Sequence, residues 1–481
     1  MKKETKKYLK EILFISIFGF GLSSCASIPQ SPIQETTSSD FDDTKFLYAL
    51  DTGLDVTPDW WTNFDDPLLV KLVEAALAEN RDIETARANL EEANHIIRSA
   101  KLGKSYSTVS TSGADLGRST GSSADFDYTL SGSLAASWEL DAFGRIDAEI
   151  KAAEFNRESV LQTRRDVAVL VAAETAQAYV DLRGAQEGLA VAQQNSVIQA
   201  DTLGLVQDLV DNGRSSDLDL HRSKALYSTT LASLPTFNAS IQTATAQLAA
   251  LTGETTEYIA LNLDGQALQH DIPQHSKGLV SGSPESLITR RPDIRQAQAE
   301  ISRQLSLSDV ERSRLYPTIS FNADVNSIFN GTSLINQFSN FGFGFGPNIS
   351  WEGPDLRSVR VDIDISDAQT KAAISQYEQT ILDAIADVEI ALTRYGREVE
   401  RSSELMKASQ SASHALELAQ LRFDEGFDDF LDVLDAQRTL LEADEALVQN
   451  EILITTYAIA AYSALGGMWT DEELENNRSD I

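Results

Sequence analysis

The chain has 481 residues, a formal net charge of −34 at pH 7 and a hydrophobic fraction of 42%. Nucleic-acid affinity comes from lysine and arginine on phosphates, so a chain this acidic excludes nucleic acid as a partner. The apolar fraction still supports a buried core. After the N-terminal region, no stretch reaches the roughly 18 consecutive apolar residues typical of a transmembrane helix, so any membrane crossing must be made by strands.

The first 24 residues have the features of an export signal. Five lysines precede a short apolar core, Ile12 to Phe20, which is too short to span a bilayer. The sequence Leu22-Ser23-Ser24-Cys25 follows and resembles a bacterial lipoprotein box. This resemblance implies that Cys25 is lipidated, and that Ala26 directs the protein to the outer membrane. A chance cysteine after an ordinary signal peptide is the alternative.

The position of Cys25 sets the first boundaries of the mature chain. Cys25 is the only cysteine, so no internal disulfide can form. Residues 1–24 carry a net charge of +3, and their removal would change the total from −34 to −37. Residues 25–57 are rich in Ser, Thr, Pro and Asp and are expected to form a lipidated, extended tether.

The remaining sequence consists of two similar halves. SWELDAFGRI (137–146) resembles SWEGPDLRSV (350–359), and RDIETARANL (81–90) resembles PDIRQAQAEI (292–301). The pairs Trp138–Gly213 and Trp351–Gly426 have the same spacing. These matches predict an internal two-fold repeat over 58–265 and 283–469, with a linker at 266–282 and an acidic tail at 470–481. Each half has the order helix, strand pair, very long helix, turn, helix.

The strand pairs are predicted from a change of period to two. Apolar residues from Tyr128 to Trp138 alternate with small polar ones, and Phe341, Phe343 and Phe345 alternate with glycines. Such strands have one apolar and one polar face, as in a membrane barrel with a wet lumen. On this pattern alone, a half-buried hairpin of a soluble domain is the more common explanation.

Two helices of unusual length are predicted, at about Arg145–Asp211 and Ser358–Glu425. About 65 residues with a rise of 1.5 Å each give roughly 100 Å, so each helix needs partners along its whole length. Each ends at a turn glycine, Gly213 or Gly426, after which a shorter helix returns. Pro235 is expected to interrupt the first returning helix.

No catalytic or metal site is apparent. The five histidines have no metal-ligand spacing, and neither a GxSxG nucleophile motif nor a phosphate-binding loop occurs. We therefore expect no enzyme activity, no cofactor and no metal. The second turn carries the most distinctive polar pattern, since Asp432 and Asp435 share one helix face. A solvated acidic stripe beside the apolar Leu431 and Leu434 is the simpler alternative.

Taken together, the motifs resemble the outer membrane factor family, the TolC-like exit ducts, and in particular its lipoprotein branch with OprM and NodT-type proteins. The resemblance covers nearly all of the mature chain. It is carried by the lipoprotein box, Trp60-Trp61 with Asp66-Pro67, TRRPDIRQAQAEI (289–301), SWELDAFGRI (137–146), FLDVLDAQRTL (430–440) and ALGGMW (464–469).

The resemblance implies a mixed membrane protein. It would be a homotrimer in which each chain gives four strands to one transmembrane β-barrel and long helices to an α-helical periplasmic barrel. Asp432, Asp435 and Asp219 match the aperture positions of the family, where rings of carboxylates favour cations. Phe423 and Asp428 depart from the tyrosine and arginine that hold TolC closed, so the locking contacts must differ here.

The implied function is passive conduction as the exit duct of a tripartite RND-type efflux system. The implied partners are a periplasmic adaptor protein, an inner-membrane transporter and outer membrane lipid. Two alternatives are an exit duct for type I protein secretion and a non-conducting lipoprotein that tethers envelope layers.

Overall fold

The computed structural model describes residues 59–118, 126–264, 272–274, 290–331, 338–425, 427 and 429–466, which all belong to one compact unit, Thr44–Ile481. The predicted lipidation site Cys25, the turn glycine Gly426 and Asp428 lie outside the described residues. Within the described ranges, no helix is both long and apolar enough to cross a membrane.

The first described elements are a 3-10 turn, Trp60–Phe64, and two helices, α1 (Pro67–Glu79) and α2 (Arg81–Leu102). Asp66 caps α1, since its carboxylate accepts hydrogen bonds from the backbone N–H groups of Leu68 (2.8 Å) and Leu69 (3.1 Å). Pro67 occupies the first helical position, where its missing N–H has no helical partner to lose. The Asp-Pro pair therefore sets the start of α1.

Four strands form one antiparallel sheet in the order β1 (Ser107–Arg118), β2 (Phe126–Leu140), β3 (Thr318–Gly331) and β4 (Phe338–Ser350). Leu134 lies opposite both Ser110 and Val325, and Val325 lies opposite Phe343, so these side chains share one face. Strands β1 and β4 form the two edges. Along β3 and β4 the apolar face is exposed, with Phe343 and Phe345 each 81% accessible.

Each strand pair is followed by a long helix and a shorter one. The first pair is α3 (Arg145–Asp211) and α4 (Asp217–Thr252), followed by the short α5 (Thr256–Asp264). Helix α6 (Pro292–Ser313) precedes β3, and the second pair is α7 (Arg357–Asp424) and α8 (Phe430–Ala464). Helices α3 and α7 have 67 and 68 residues. At 1.5 Å per residue, each is about 100 Å long.

The expected interruption at Pro235 is wrong. Helix α4 continues from Asp217 to Thr252 with Pro235 inside it. A proline in a helix leaves the carbonyl four residues earlier without its usual donor. That carbonyl belongs to Leu231, which is exposed, as is Pro235 itself. Solvent can satisfy the freed carbonyl, while packing of Phe237 on Gly188 of α3 holds the helix on its partner.

The largest apolar core joins the beginning of the described chain to the last helix. The Trp60 ring stacks on Tyr462 of α8, with ring centroids 5.3 Å apart, and Phe64 packs edge-on against the same tyrosine. Leu182 and Tyr179 of α3 are fully buried in this core. The core therefore ties α1, α3, α4, α7 and α8 together, at a distance along the helices from the two hairpin turns.

Candidate functional site

The first hairpin turn is built by a left-handed glycine and a serine cap. After α3 ends at Asp211, Gly213 has φ = +68°, a conformation that residues with a Cβ adopt only at a cost. Ser216 caps α4, since its hydroxyl accepts a hydrogen bond from the backbone N–H of Asp219 at 3.2 Å. The chain thus reverses direction in five residues, 212–216.

Asp219, one of the three predicted aperture residues, is part of this cap. Its carboxylate accepts a hydrogen bond from the Ser216 hydroxyl at 2.5 Å and lies 3.8 Å from the Arg222 guanidinium. The Asp219 side chain is only 16% exposed. Asp219 therefore stabilises the start of α4, in addition to any role it has toward solutes.

The second hairpin turn presents its acidic residues differently. Asp429 precedes α8 without a side-chain capping bond, and Asp432 and Asp435 are both exposed on the first turns of the helix. Asp435 accepts a hydrogen bond from Arg438 at 2.7 Å. The Asp432 carboxylate has no partner among the described residues. Of the two predicted aperture residues on α8, Asp432 is therefore the one whose charge is less compensated.

A second apolar cluster, which we call the tip cluster, packs the two hairpins against each other. Its buried members are Val206 of α3, Leu416 of α7, and Phe430, Val433 and Leu434 of α8. Residues from all four long helices contact it, including Leu220 of α4, which follows Asp219. Asp219 and Asp432 thus start two helices that share one cluster.

Phe423 has a defined place at this cluster. Its ring packs edge-on against Phe430, with centroids 5.5 Å apart and an angle of 61° between the ring planes. A phenylalanine at this position has no hydroxyl to hydrogen-bond, so its contribution to the tip is apolar packing.

Sequence reasoning missed the polar contact between α3 and α8. The Gln437 side-chain amide donates a hydrogen bond to the Thr202 hydroxyl at 2.7 Å, and Gln437 is 2% exposed. The available signal was a glutamine three residues after Leu434, on the apolar face of α8. Its partner, 235 residues away in sequence, could not have been inferred from spacing.

The TRRPDIRQAQAEI motif forms a structural junction. Arg291 donates hydrogen bonds to Asp293 and Asp387 and to the backbone carbonyl of Ala464, which joins the start of α6 to α7 and to the end of α8. Burial alone would lower the pKa of Arg291, but the bonds to Asp293 and Asp387 outweigh it, so the pKa is raised and the charge is kept. This motif therefore links three helices of the second half of the chain, α6, α7 and α8.

Tyr179, an ionisable residue in the large core, is kept neutral. Burial raises the pKa of Tyr179, and its hydroxyl donates a hydrogen bond to the α1 cap Asp66 at 2.7 Å, which raises the pKa further. Arg183 donates to the same hydroxyl oxygen at 2.8 Å. The Asp66-Pro67 motif thereby anchors α1 to α3. In the described part of the chain, no cluster of three or more His, Cys, Asp or Glu residues could hold a metal.

A four-stranded sheet with an exposed apolar face, joined to two helices of about 100 Å and their shorter partners, is the architecture expected of an outer membrane channel subunit. The profile of the outer membrane efflux protein family matches the chain twice, over residues 72–254 and 283–467. The chain belongs to this family. This result confirms the resemblance inferred from its motifs, and it also confirms the predicted outer membrane location.

Named relatives support the same conclusion. The chain is 27% identical over 426 residues to the solvent efflux pump outer membrane protein SrpC of Pseudomonas putida, covering 85% of this chain and 87% of the relative. It is 27% identical over 406 residues to nodulation protein T of Rhizobium leguminosarum bv. trifolii, covering 81% and 83%.

Solved structures have the same fold. The outer-membrane channel OprN is 30% identical and superposes with a TM-score of 0.80, covering 92% of this chain and 99% of the channel. The open state of the MtrE outer membrane channel of Neisseria gonorrhoeae is 23% identical with a TM-score of 0.73, and shows likeness of fold alone.

Proposed function

We propose that this protein is the outer membrane exit duct of a tripartite RND-type efflux system and conducts solutes passively from the periplasmic side to the exterior. The observation that carries the proposal is a four-stranded sheet with two open edges and an exposed apolar face, continuous with helices of about 100 Å. Open strand edges in lipid and exposed apolar positions on long helices both call for partner chains, so both point to the same assembly.

The sheet supports a barrel shared by three chains. Open strand edges are not tolerated in the hydrocarbon of a membrane, so β1 and β4 need partners. Four strands are too few to close a barrel, whereas three copies give twelve, with β4 of one chain beside β1 of the next. The exposed apolar face, with Leu130 52% and Leu134 55% accessible, would then face lipid, and Ser131 and Ser133 would face the lumen.

The helices support a periplasmic tunnel and a two-fold repeat. Exposed apolar side chains continue along α7, including Val361, Ile374 and Leu382. Apolar positions on a helix of this length are buried by neighbouring helices in stable proteins. In a homotrimer, six long helices and their shorter partners would cover these positions and enclose a duct. The two segments of the proposed repeat, 58–265 and 283–469, each contain one long helix and a shorter partner helix.

The aperture of the duct is assigned to the two hairpin turns, with Gly213 and Gly426 at the turns and Asp432, Asp435 and Asp219 as the charged residues. Three copies of Asp432 and Asp435 would place six carboxylates around one axis and favour cations over anions. The exposure of both side chains and the tip cluster beneath them support this assignment. The acidic stripe without a gating role remains the alternative to be tested.

Anchoring is assigned to Cys25 together with the barrel. Lipid on Cys25 would hold the N-terminus at the outer membrane, and a second membrane contact would make the anchoring stable. We expect Cys25→Ser to abolish labelling with radioactive palmitate and to leave the precursor largely unprocessed. Equal labelling of the variant and the wild type would show that Cys25 is not the lipidated residue.

The proposed partners are a periplasmic adaptor that contacts the helical tips and an inner-membrane transporter that supplies energy. Efflux is favoured over type I protein secretion because curated relatives such as SrpC are named for efflux pumps. A deletion strain separates the two, since loss of efflux raises sensitivity to small toxic compounds while loss of secretion removes an exported protein. A non-conducting tether predicts neither defect.

The assembly is tested by native mass in detergent and by planar-bilayer recording. We expect three chains per particle and a conductance, whereas a monomer without conductance would overturn the proposal.

The orientation of the sheet is tested by a matched pair of variants. Leu134→Lys should destabilise the assembled barrel by about 2–4 kcal/mol if the residue faces mid-bilayer lipid. The matched control Ser133→Lys, on the opposite face of β2, should assemble normally. Equal damage by both variants would contradict the proposed orientation of the sheet.

A further inference from the structure

At the edge of the tip cluster that faces the large core, buried polar side chains lie on α3, α4 and α8. Gln199 of α3 is 2% exposed, Thr230 of α4 is 3% exposed and Gln437 of α8 is 2% exposed. Glutamine and threonine are usually at the surface, and when buried they are normally hydrogen-bonded. Each of these three side chains therefore needs hydrogen-bond partners.

The protein itself supplies only part of those hydrogen bonds. Gln437 donates one bond to Thr202, whose hydroxyl in turn donates to the Ile198 carbonyl at 2.8 Å. Both polar atoms of the Gln199 amide, the Thr230 hydroxyl and Oε1 of Gln437 have no partner among the described residues. An unpaired buried donor or acceptor costs the free energy of its lost hydration, and here four such atoms belong to residues of three neighbouring helices.

The helix geometry places these three residues at similar heights along the helices. Gln199 and Thr202 are three residues apart on α3 and point to the same side, and Gln437 reaches that side from α8. On α4, Phe237 lies against Gly188 of α3. Counting back along the antiparallel helices from this contact places Thr230 within about one helical turn of Gln199. The layer thus has donors and acceptors from three helices.

We propose that Gln199, Thr230 and Gln437 bind ordered water in the seam between α3, α4 and α8. A buried water needs two to four polar partners, and these residues provide two acceptor oxygens, an amide donor and a hydroxyl. A water molecule can reach all three helices, whereas a rearranged side chain could pair only two of them. We call this the hydrated layer.

The hydrated layer is also a joint between the two hairpins, a role that rests on the proposed function as a gated duct. On its two sides, interdigitated apolar side chains fix α8 against α3. Apolar packing of this kind has discrete arrangements, but water-mediated hydrogen bonds can be exchanged for others at little cost. Sliding of α8 on α3 therefore meets the least resistance at Gln199 and Gln437.

The water site is tested directly by a high-resolution density map of the full-length protein in detergent. We expect solvent density within hydrogen-bonding distance of the Gln199 amide and of Gln437 Oε1, and its loss in the double variant Gln199→Met, Gln437→Met. Direct pairing of the two glutamines without solvent density, or a dry layer, would overturn the proposal. Gln194→Met, at an exposed position five residues from Gln199 on α3, is the control and should leave the density unchanged.

The joint is tested by hydrogen–deuterium exchange of backbone amides in α8 near Gln437. Replacing both glutamines with methionine should slow this exchange at least tenfold, since apolar contacts replace exchangeable ones, while Gln194→Met should not change it. Unchanged or faster exchange in a folded double variant would show that the layer is no joint. Neither measurement depends on transport. A protein that holds the water but does not conduct would refute the proposed function and leave the water site intact.

Discussion

The two hairpin turns have similar surroundings but are stabilised in different ways. The α3–α4 turn uses local backbone devices, a left-handed glycine at Gly213 and the reciprocal bonds between Ser216 and Asp219. The α7–α8 turn lacks a side-chain cap at Asp429, and its helix start is instead fixed by burial of Phe430. Both turns also have a backbone hydrogen bond to the preceding long helix, from the N–H of Arg214 to Leu209 and from the N–H of Phe427 to Arg422, each 2.8 Å. The difference therefore lies at the helix starts: α4 is held by its own cap, whereas the start of α8 depends on packing.

This difference has a consequence for any motion of the tip. If α8 separates from α3 and α4, the start of α8 loses its apolar contacts with Val206 and Leu220, while the capped start of α4 loses none of its hydrogen bonds. The start of α8 therefore depends more on the contact between the hairpins than the start of α4 does, and the same turn exposes Asp432 and Asp435 to solvent.

The largest effect is expected from Phe430→Ala. Removing a fully buried aromatic side chain costs about 3–5 kcal/mol, because packing and burial are lost together. Thermal unfolding of the purified protein and proteolysis at the α7–α8 turn measure it. Phe427→Ala is the control, since Phe427 is 75% exposed and should be near neutral. Similar losses for the two variants would show that packing does not hold this turn.

Gly213→Ala should destabilise the first turn by about 1–2 kcal/mol, the cost of a left-handed conformation for a residue with a Cβ. Nothing lies within 4 Å of a Cβ built at Gly213, so this cost is conformational and not a clash. Gly204→Ala, inside α3 and equally open, should instead stabilise by about 0.8–1 kcal/mol. Opposite signs in denaturant unfolding are the expected result, and equal signs would contradict the role of Gly213.

Ser216→Ala should cost about 1 kcal/mol, because the N–H of Asp219 loses its capping acceptor. Asp429→Ala, the equivalent change at the second turn, should cost less, since the Asp429 side chain makes no capping bond. Unfolding of the two variants side by side compares the turns directly. An equal or larger loss for Asp429→Ala would overturn the distinction between a capped and a packed turn.

Much of this architecture could be predicted from sequence where a single physical signal acts along a continuous segment. The long proline-free segment from Arg145 fixed the bounds of α3, and the alternation from Tyr128 to Trp138 identified β2 with its two faces. The predicted interruption at Pro235 fails because the cost of a proline in a helix depends on its surroundings. The freed carbonyl at Leu231 is exposed, so its cost is small.

The candidate site shows where such reasoning stops. The acidic positions Asp432 and Asp435 could be found from their spacing, but their environments could not. The pairing of Asp435 with Arg438 is local and could have been predicted from its i, i+3 spacing. The contact of Gln437 with Thr202 and the packing of Phe423 on Phe430 depend on which helix faces meet, and no local pattern specifies this.

The smallest change in stability is expected for the charges themselves. Replacing both Asp432 and Asp435 with alanine should alter the free energy of unfolding by no more than about 0.5 kcal/mol, since both are exposed on the helix surface. If these residues line the proposed aperture, the same variant should lose cation selectivity and block by multivalent cations in planar-bilayer recordings.

The two aspartates should not contribute equally to that selectivity. Arg438 lies 2.7 Å from Asp435 and offsets its charge, whereas no described residue pairs with Asp432. Asp432→Asn should therefore reduce cation selectivity more than Asp435→Asn, and Arg438→Gln should increase it by leaving Asp435 uncompensated. Asp82→Asn, an exposed carboxylate on α2 remote from both turns in sequence, serves as the control for a general loss of negative charge. If Asp82→Asn lowers selectivity as much as Asp432→Asn, the acidic stripe has no special position on the conduction path, and the exposed turn is only a solvated surface.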